Sequence, residues 1–308
     1  MDIRQLRYFL EIVEQGSLTA ASRTLNVAQP ALSLHLRNME ERLDTALLIR
    51  KANGVEPTEA GEILRSRARS ILNELERTED EIRNLDKSPG GAVRLGLSAT
   101  ISEILTLPLI DALLEKYPRI TLNIADAMSG FVTEWLEEGR VDLAVLYNTS
   151  AGGQTNADVL VEEELVLIQP PDKRITKDVS LRSLCEAPVI LPSKGHGLRD
   201  LVESAARSRK IEVNVAMEID SYRNIKNLVT KGFGNSVLPL HAVTKELSEG
   251  SLTYANFARS ELRRGAILKR SGTRSRAQQA VEETIQEVVA DLVQSGNWAG
   301  ATLSTSLT

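Results

Sequence analysis

Cysteine occurs once in the 308 residues, at Cys185, which excludes an intrachain disulfide and a multi-cysteine zinc site and suits a reducing, cytoplasmic setting. The three histidines (His35, His196 and His241) are too few to suggest a histidine-built metal centre. Aromatic residues make up 4% of the chain, which argues against a stacking platform for single-stranded nucleic acid. No stretch approaches the ~20 apolar residues that a membrane-spanning helix requires. The N-terminal run MDIRQLRYFLEIVEQG spaces charges where a signal peptide would carry an apolar core. An excess of positive charge is missing too. The chain carries a net −5, and residues 1–72, with 10 basic and 9 acidic side chains, are only slightly less acidic than the rest. Charge alone therefore does not point to DNA; a pattern must.

What is present is length for two or three folded units, with 42% hydrophobic and 26% charged residues, the balance of a globular chain. The spacing of Ile3, Leu6, Phe9, Leu10 and Val13 predicts a first helix ended by Gly16. Ser17 can cap a short second helix over 18–25. Asn26-Val27-Ala28 makes a turn, and Pro30 suits the first turn of a third helix. That helix runs to about Leu43, with Leu32, Leu36, Met39 and Leu43 as its inward stripe. Two helices joined by so short a turn form a helix-turn-helix. Lys51-Ala52-Asn53-Gly54, flanked by apolar residues, predicts a small β-wing. Thr58 then caps a long helix over 59–87. Leu64, Ala68, Ile71, Leu75, Thr78, Ile82 and Leu85 form an a/d seam along it, which reads as a dimerisation surface in preference to a face packed on its own domain. Pro89-Gly90-Gly91 marks a hinge.

From Ala92 the pattern is α/β. Strands at 93–97, 120–125 and 142–147 alternate with helices, a succession that implies parallel strands. A second such region carries strands at 165–168, 189–191, 213–219 and 236–238 and helices near 197–209 and 221–231. A strand near 265–269 and a helix over 275–293 return to the first lobe. The expected organisation is a winged helix-turn-helix at 1–58, a linker helix and hinge at 59–90, and a two-lobed α/β domain at 91–295. Lobe I covers about 91–161 and 267–295, and lobe II about 162–266. The tail 296–308 lacks charge and periodicity and is expected to be disordered.

The third helix presents Pro30, Ser33, Leu34, Arg37 and Asn38 opposite its apolar stripe. In a helix-turn-helix that face enters the major groove. Gln29 can pair with adenine, Ser33 with either base pair, Arg37 with guanine or phosphate, and Leu34 with a thymine methyl. Arg50 and Lys51 on the wing suit phosphate. Taken singly, each residue reads better as an ordinary surface position.

The run from Phe9 through Ser17-Leu18-Thr19-Ala20-Ala21, Leu25 and Val27-Ala28-Gln29-Pro30-Ala31-Leu32-Ser33 continues to Glu40, Leu43, Leu47-Leu48, Arg50 and Pro57-Thr58-Glu59-Ala60-Gly61. It closely resembles the LysR-type transcriptional regulators, over nearly all of residues 1–295. Ala28 and Leu34 depart from the residues common in that family. The candidate DNA-contacting set is Ser17, Thr19, Ala28, Gln29, Pro30, Ser33, Leu34, Arg37, Arg50 and Lys51. The resemblance implies a type-2 periplasmic-binding-protein-like effector domain and antiparallel pairing of the linker helix. Leu64, Ala68, Ile71, Leu75 and Ile82 are its expected contacts.

Small hydroxyl residues stand between strand ends and helix starts: Ser98-Ala99-Thr100, Ser129-Gly130, Tyr147-Asn148-Thr149 and Ser193. Ligands of open α/β sheets bind at such places, where helix N-termini favour anions. Each hydroxyl could equally be a helix cap. Lys194 and Arg199 close to Ser193 add positive charge. The candidate effector set is Ser98, Ala99, Thr100, Ser129, Tyr147, Ser193, Arg199 and Asn235. In the resembling family the matching positions, notably Ser98, Thr100, Ser129 and Ser193, line the effector cleft. No phosphate loop, nucleophile elbow or H-E-x-x-H motif is present, and the Ser193–His196 neighbours lack an activating context. No cofactor or metal is expected and no enzyme activity. The reading is a cytoplasmic regulator that binds double-stranded operator DNA as a homodimer or homotetramer. It senses a small anion and has RNA polymerase as a further partner. The rival is a small-molecule binding or transport protein built on the same two-lobed fold.

Overall fold

The computed structural model describes residues 1–51, 54–83, 88–148, 158–173, 178–258, 262–272 and 274–304. Helix α1 (Ile3–Gln15) opens on a capping box. Asp2 Oδ1 accepts from Gln5 N at 2.8 Å, and Gln5 Oε1 accepts from Asp2 N at 3.0 Å. Gly16 closes the helix with φ 60°, a left-handed angle that glycine adopts without penalty. Ser17 caps α2 (Leu18–Thr24), and Asn26 takes the left-handed turn before α3 (Gln29–Leu43). Leu32, Leu36 and Met39 join Phe9, Ile12 and Ala21 in one core. Leu43, expected to finish that stripe, is 42% exposed. The chain turns left-handed at Asp44, and Leu47 closes that end of the core instead.

The wing is the antiparallel pair β1 (Leu48–Lys51) and β2 (Gly54–Pro57). The expected turn residues Ala52 and Asn53 lie outside the described residues. Glu40 ties α3 to the wing, its Oε1 accepting from Leu47 N at 2.8 Å and Leu48 N at 3.3 Å. Thr58 caps α4 (Glu59–Arg83), accepting from Gly61 N at 3.0 Å. A side chain at Gly61 would place its Cβ 2.1 Å from the Leu47 carbonyl oxygen, so only glycine allows this approach.

Helix α4 carries two apolar faces, which corrects the single-seam expectation. Leu64 and Ala68, with Leu72, are buried in the winged-helix core of their own chain. Ile71 (44% exposed) and Ile82 (70%) face outward, and Leu75 is half-buried between the two. In sequence the two faces merge into one stripe, because residues four apart satisfy a heptad and a domain-packing face alike. Residues 84–87, including Leu85, lie outside the described residues.

Beyond the hinge the chain runs through β3 (Gly91–Ser98), α5 (Ala99–Lys116), β4 (Ile120–Ala127), α6 (Ser129–Glu137) and β5 (Leu143–Tyr147). Strand β3 pairs parallel with both β4 and β5. Strand β6 (Asp158–Gln169) then enters the second lobe, which holds β7 (Val189–Leu191), α7 (Gly197–Ser208), β8 (Val215–Glu218), α8 (Tyr222–Thr230), β9 (Ser236–Pro239), α9 (Thr244–Ser248) and β10 (Thr253–Asn256). Finally β11 (Arg263–Arg270) and α10 (Arg276–Gln294) return to lobe I, where α10 packs with α5 on one face of the sheet and α6 covers the other. Strand β6 is longer than the apolar run Leu165–Ile168 suggests. Its first half pairs antiparallel with β11 and its second half with β9 and β10, so one strand serves both lobes. The expected lobe border between 161 and 162 falls inside it.

The tail expectation is corrected. Strand β12 (Ala301–Leu303) pairs with Glu163, Glu162 and Val161 of β6, and Trp298 is buried at 1% exposure in the lobe I core. An indole and one strand edge supply the contacts that a composition-based reading of disorder omits; only residues 305–308 lie outside the described part of this tail. Trp298→Ala should cost ~3–5 kcal/mol of stability, the usual range for emptying a buried aromatic site. Urea denaturation would measure it, and a loss below ~1 kcal/mol would mean the tail only rests on the surface.

Candidate effector cleft and nucleic-acid interface

The N-terminal domain presents one outward face of mixed polar and apolar residues. Ala28, Gln29, Pro30, Leu34 and Arg37 are exposed along α3, and Ser33 is half-buried, with its Oγ accepting from Gln29 Nε2 at 3.2 Å. Leu34 is 55% exposed, an apolar side chain held outward by the burial of Leu32 and Leu36 on the opposite face. Thr19 is exposed on α2, while Ser17 is half-buried and its hydroxyl accepts from Ala20 N at 3.4 Å, so it serves as a cap. Arg50 is exposed on the wing, and Lys51 pairs with Glu56 across the hairpin.

Between the lobes lies a cavity of about 480 Å³. Lobe I lines it with Ser98, Ala99, Thr100, Ser129 and Tyr147, all five expected from sequence. The helices that start there are uncapped: Ser98 precedes α5 and Met128 precedes α6, and neither side chain bonds the helix it opens. Ser98 is thus buried at 4% exposure with no partner for its Oγ among the described residues, so the helix-cap alternative fails for this residue. Lobe II contributes His196, Asp220, Ser221 and Tyr222. Its helix starts are occupied, with His196 Nδ1 accepting from Leu198 N at 3.2 Å and Ser221 Oγ from Asn224 N at 3.4 Å.

Three expected residues do not reach this cleft. The Ser193 hydroxyl and backbone N–H are both held by Asp220, at 3.2 and 2.8 Å. Arg199 is buried on the far side of α7, its Nε donating to Glu203 at 2.6 Å and its Nη1 to the Pro192 carbonyl at 3.1 Å, with Glu218 at 3.5 Å. Asn235 joins β7 through backbone bonds to Pro188 and Ile190. Proximity to Ser193 along the chain misleads for Arg199, because a helix turn carries it away. Thr149 lies outside the described residues. The Ser193–His196 pair makes no hydrogen bond, each being engaged elsewhere.

Sequence reasoning missed Tyr222 of lobe II and, above all, Arg264, on β11 at the cleft floor and 7% exposed. It stands opposite Glu163 of β6, to which its Nε donates at 2.5 Å. Its guanidinium lies 3.4 Å from the centre of the Tyr147 ring. Glu163 also accepts from Trp298 Nε1 at 2.9 Å, and His241 Nδ1 lies 3.2 Å away. A signal existed: Arg263-Arg264 interrupts a buried strand and faces the acidic run Glu162–Glu164 across the sheet. Burial opposes the Glu163 charge, but Arg264, His241 and Trp298 outweigh it and hold the carboxyl at about 2. Burial likewise opposes the Arg264 charge, and Glu163 keeps that group above its ordinary value. Burial raises both Tyr147 and Tyr222 against the pull of Arg264, so both phenols stay protonated donors. Burial lowers His196, and the Arg264 charge adds to the effect. Among the described residues no cluster of metal-ligating side chains occurs, and no helix is long and apolar enough to cross a membrane.

Comparison with known proteins places the two halves in one family. Residues 3–62 match the bacterial regulatory helix-turn-helix model of the lysR family, and residues 86–290 match the LysR substrate binding domain. The nitrogen assimilation regulatory protein nac of Klebsiella aerogenes is 30% identical over 294 residues, 95% of each chain. Its namesake in Escherichia coli K12 is 32% identical over 78% of each. Among solved structures, a full-length single-residue variant of OxyR from Pseudomonas aeruginosa matches with a TM-score of 0.72 at 22% identity over 94% of both chains. Full-length CbnR complexed with its target DNA gives 0.65 at 21% identity over 94% of this chain and all of that one.

The depressed Glu163 carboxyl makes an acid-sensitivity prediction. Its folded value of about 2 lies below the ordinary 4.5, so its stabilisation is complete above pH 4.5 and is lost as pH falls towards 2. Glu163→Gln should be less stable than the parent at neutral pH, and the gap between them should narrow through that window. Urea midpoints at several pH values would measure the gap. A constant gap would remove Glu163 from the acid response.

Proposed function

The chain belongs to the LysR family of transcriptional regulators, and we propose that α3 and the wing read operator DNA while the interlobe cleft senses a small anionic effector. The observation that carries the reading is the join between them. Helix α4 packs on α1 through Leu64, Ala68 and Leu72, and the same helix is fastened to lobe I. Arg65 bonds Glu138 at 2.6 Å, Asn73 donates to the Gly139 carbonyl, and Arg94 Nη1 donates to Asn73 Oδ1 at 2.7 Å. Arg69 reaches both Glu14 of α1 and Glu138. An effector held by both lobes would favour one lobe arrangement by its differential affinity, and α4 offers the mechanical route from that change to α3. The coupling must be reciprocal, so operator DNA should change effector affinity by the same factor.

The outward face of α4, with Ile71, Leu75 and Ile82, is the surface we assign to pairing with a second copy. Dimers carrying two α3 helices would span two half-sites of an operator. The cytoplasm is the compartment this reading requires, and RNA polymerase is the further partner. The transport alternative leaves residues 1–58 without a role. The relatives are transcriptional regulators, which favours a non-enzymatic chain.

Arg37→Ala and Gln29→Ala should each cost ~1–3 kcal/mol of operator affinity, with Gln29→Ala also relaxing preference at one base position. Footprints and binding isotherms unchanged in both variants would take α3 out of the recognition role. Ile71→Glu places a charge on the pairing face without touching the chain's own core, so dimers should dissociate while the thermal melt is preserved. Sedimentation of this variant at the parent's mass would assign pairing to another surface.

A further inference from the structure

The cleft floor holds more polar hydrogen-bonding capacity than its own residues use. Glu163 is fully committed to Arg264, Trp298 and the neighbouring His241. The guanidinium is not: Arg264 Nη2 is buried and makes no hydrogen bond of normal geometry among the described residues, with the Tyr222 hydroxyl beside it. Three hydroxyl oxygens that line the same cavity are likewise buried without a hydrogen bond of normal geometry among the described residues, those of Tyr147 (beside Thr100), Tyr222 and Ser98. They come from different elements, Tyr147 on β5 and Ser98 at the start of α5 in lobe I, and Tyr222 on α8 in lobe II. Such groups are rarely left unpaired in a buried setting, and where they are, a ligand that completes them gains the bonds they lack. The Tyr147 ring against the guanidinium fixes the plane in which its free N–H groups point.

We propose that Arg264 is the receptor for the effector's charge, and that the effector is a small molecule with one oxyanionic head accepting from Arg264 Nη2 and the hydroxyls of Tyr147, Tyr222 and Ser98. This rests on reading the cleft as the effector site. Arg264 only donates and the three hydroxyls can all turn their O–H towards the same point, which favours an acceptor-only head over an amide or an alcohol and opposes an ammonium. The uncapped starts of α5 and α6 add partial positive charge on the same side. Asp220 and the exposed Glu103 line the remaining wall and repel further negative charge, so a single anionic group fits better than a polyanion. A volume of about 480 Å³ leaves space for a body beyond the head.

Isothermal titration of the full-length protein tests this. The probes are lactate, pyruvate, succinate, sulfate and phosphate, with lactamide as the neutral counterpart of lactate. At least one oxyanion should bind and lactamide should not. Carboxylates binding without sulfate or phosphate would identify a carboxylate head, and the reverse would identify a tetrahedral one; either supports the site. Tyr222→Phe, which removes only a hydroxyl, should weaken that probe roughly tenfold. Because Arg264→Gln strands a buried carboxylate, the decisive variant is Arg264→Met with Glu163→Gln, which removes both charges together. It should lose roughly a hundredfold or more in affinity, with a cooperative melt showing that it is folded. Parent-like oxyanion affinity in the double variant, or no binding of any oxyanion at millimolar concentration, would overturn the proposal. An oxyanion that binds through Arg264 yet leaves operator affinity unchanged would keep this site and sink the sensor reading. A neutral molecule that changes operator affinity equally in parent and double variant would do the opposite.

Discussion

The buried carboxylate of Glu163 is the constraint around which the effector domain is arranged. It sits on the one strand that serves both lobes, and at 1% exposure it cannot be left alone. A charge taken out of water needs both a countercharge and hydrogen bonds, and the gain from pairing often only offsets the desolvation cost. Here the countercharge comes from β11, one hydrogen bond comes from the C-terminal Trp298, and His241 stands beside it in the turn after β9. Four separate stretches of chain must therefore meet at one point. Such an arrangement adds little net stability over an apolar core. What it supplies is position, because the Arg264 guanidinium is locked against Tyr147 with its other end directed to the cleft.

A second constraint is the double duty of α4. One helix face is spent on the winged-helix core and another apolar face is left outward, so the helix belongs to its own domain while keeping a second apolar surface uncovered in this chain. Its polar side is equally committed. Asn73, at 6% exposure, both donates to Gly139 and accepts from Arg94, while Arg94 is itself held by Asp142 at 2.9 Å. The buried amide and carboxylate at this joint are little screened by salt, unlike the surface pairs along the same helix such as Arg83–Glu79. The junction between α4 and lobe I thus rests on a few desolvated contacts rather than on the many exposed charges of α4.

What can be read from the sequence follows from how far each signal reaches along the chain. The outward face of α3 is legible because a single helix fixes which of Gln29, Leu34 and Arg37 share a side. The same holds for Ser98, Ala99, Thr100 and Ser129, since strand ends and helix starts are local features. Arg264 is not legible in this way. Its role depends on the register of β11 against β6, about a hundred residues apart in sequence, and no local period reports it. Arg199 fails for the complementary reason: nearness to Ser193 along the chain is not nearness in space. The a/d seam shows a third limit, because Leu64 and Ala68 fit a heptad and a domain core equally, and only the position of α1 decides between them. Trp298 escapes because a single aromatic in a tail of small polar residues has no periodic neighbours to mark it as core.

The two lobes offer unequal terms to an anion. Helices α5 and α6 of lobe I begin without side-chain caps, so their first N–H groups and dipoles remain available at the cleft. Helices α7 and α8 of lobe II begin with His196 and Ser221 already accepting from those groups. Arg264 and Tyr147 stand with lobe I through the pairing of β11 with β5. Lobe II brings a neutral phenol, a histidine whose burial disfavours protonation, and the carboxylate of Asp220. The positive potential is therefore concentrated on the lobe to which α4 is fastened, while the opposite lobe adds direction and selectivity. On the proposed reading, a ligand charge on this floor would act on the side of the cleft that is fastened to the DNA-binding domain, and the Tyr222 hydroxyl is the group through which lobe II would meet it.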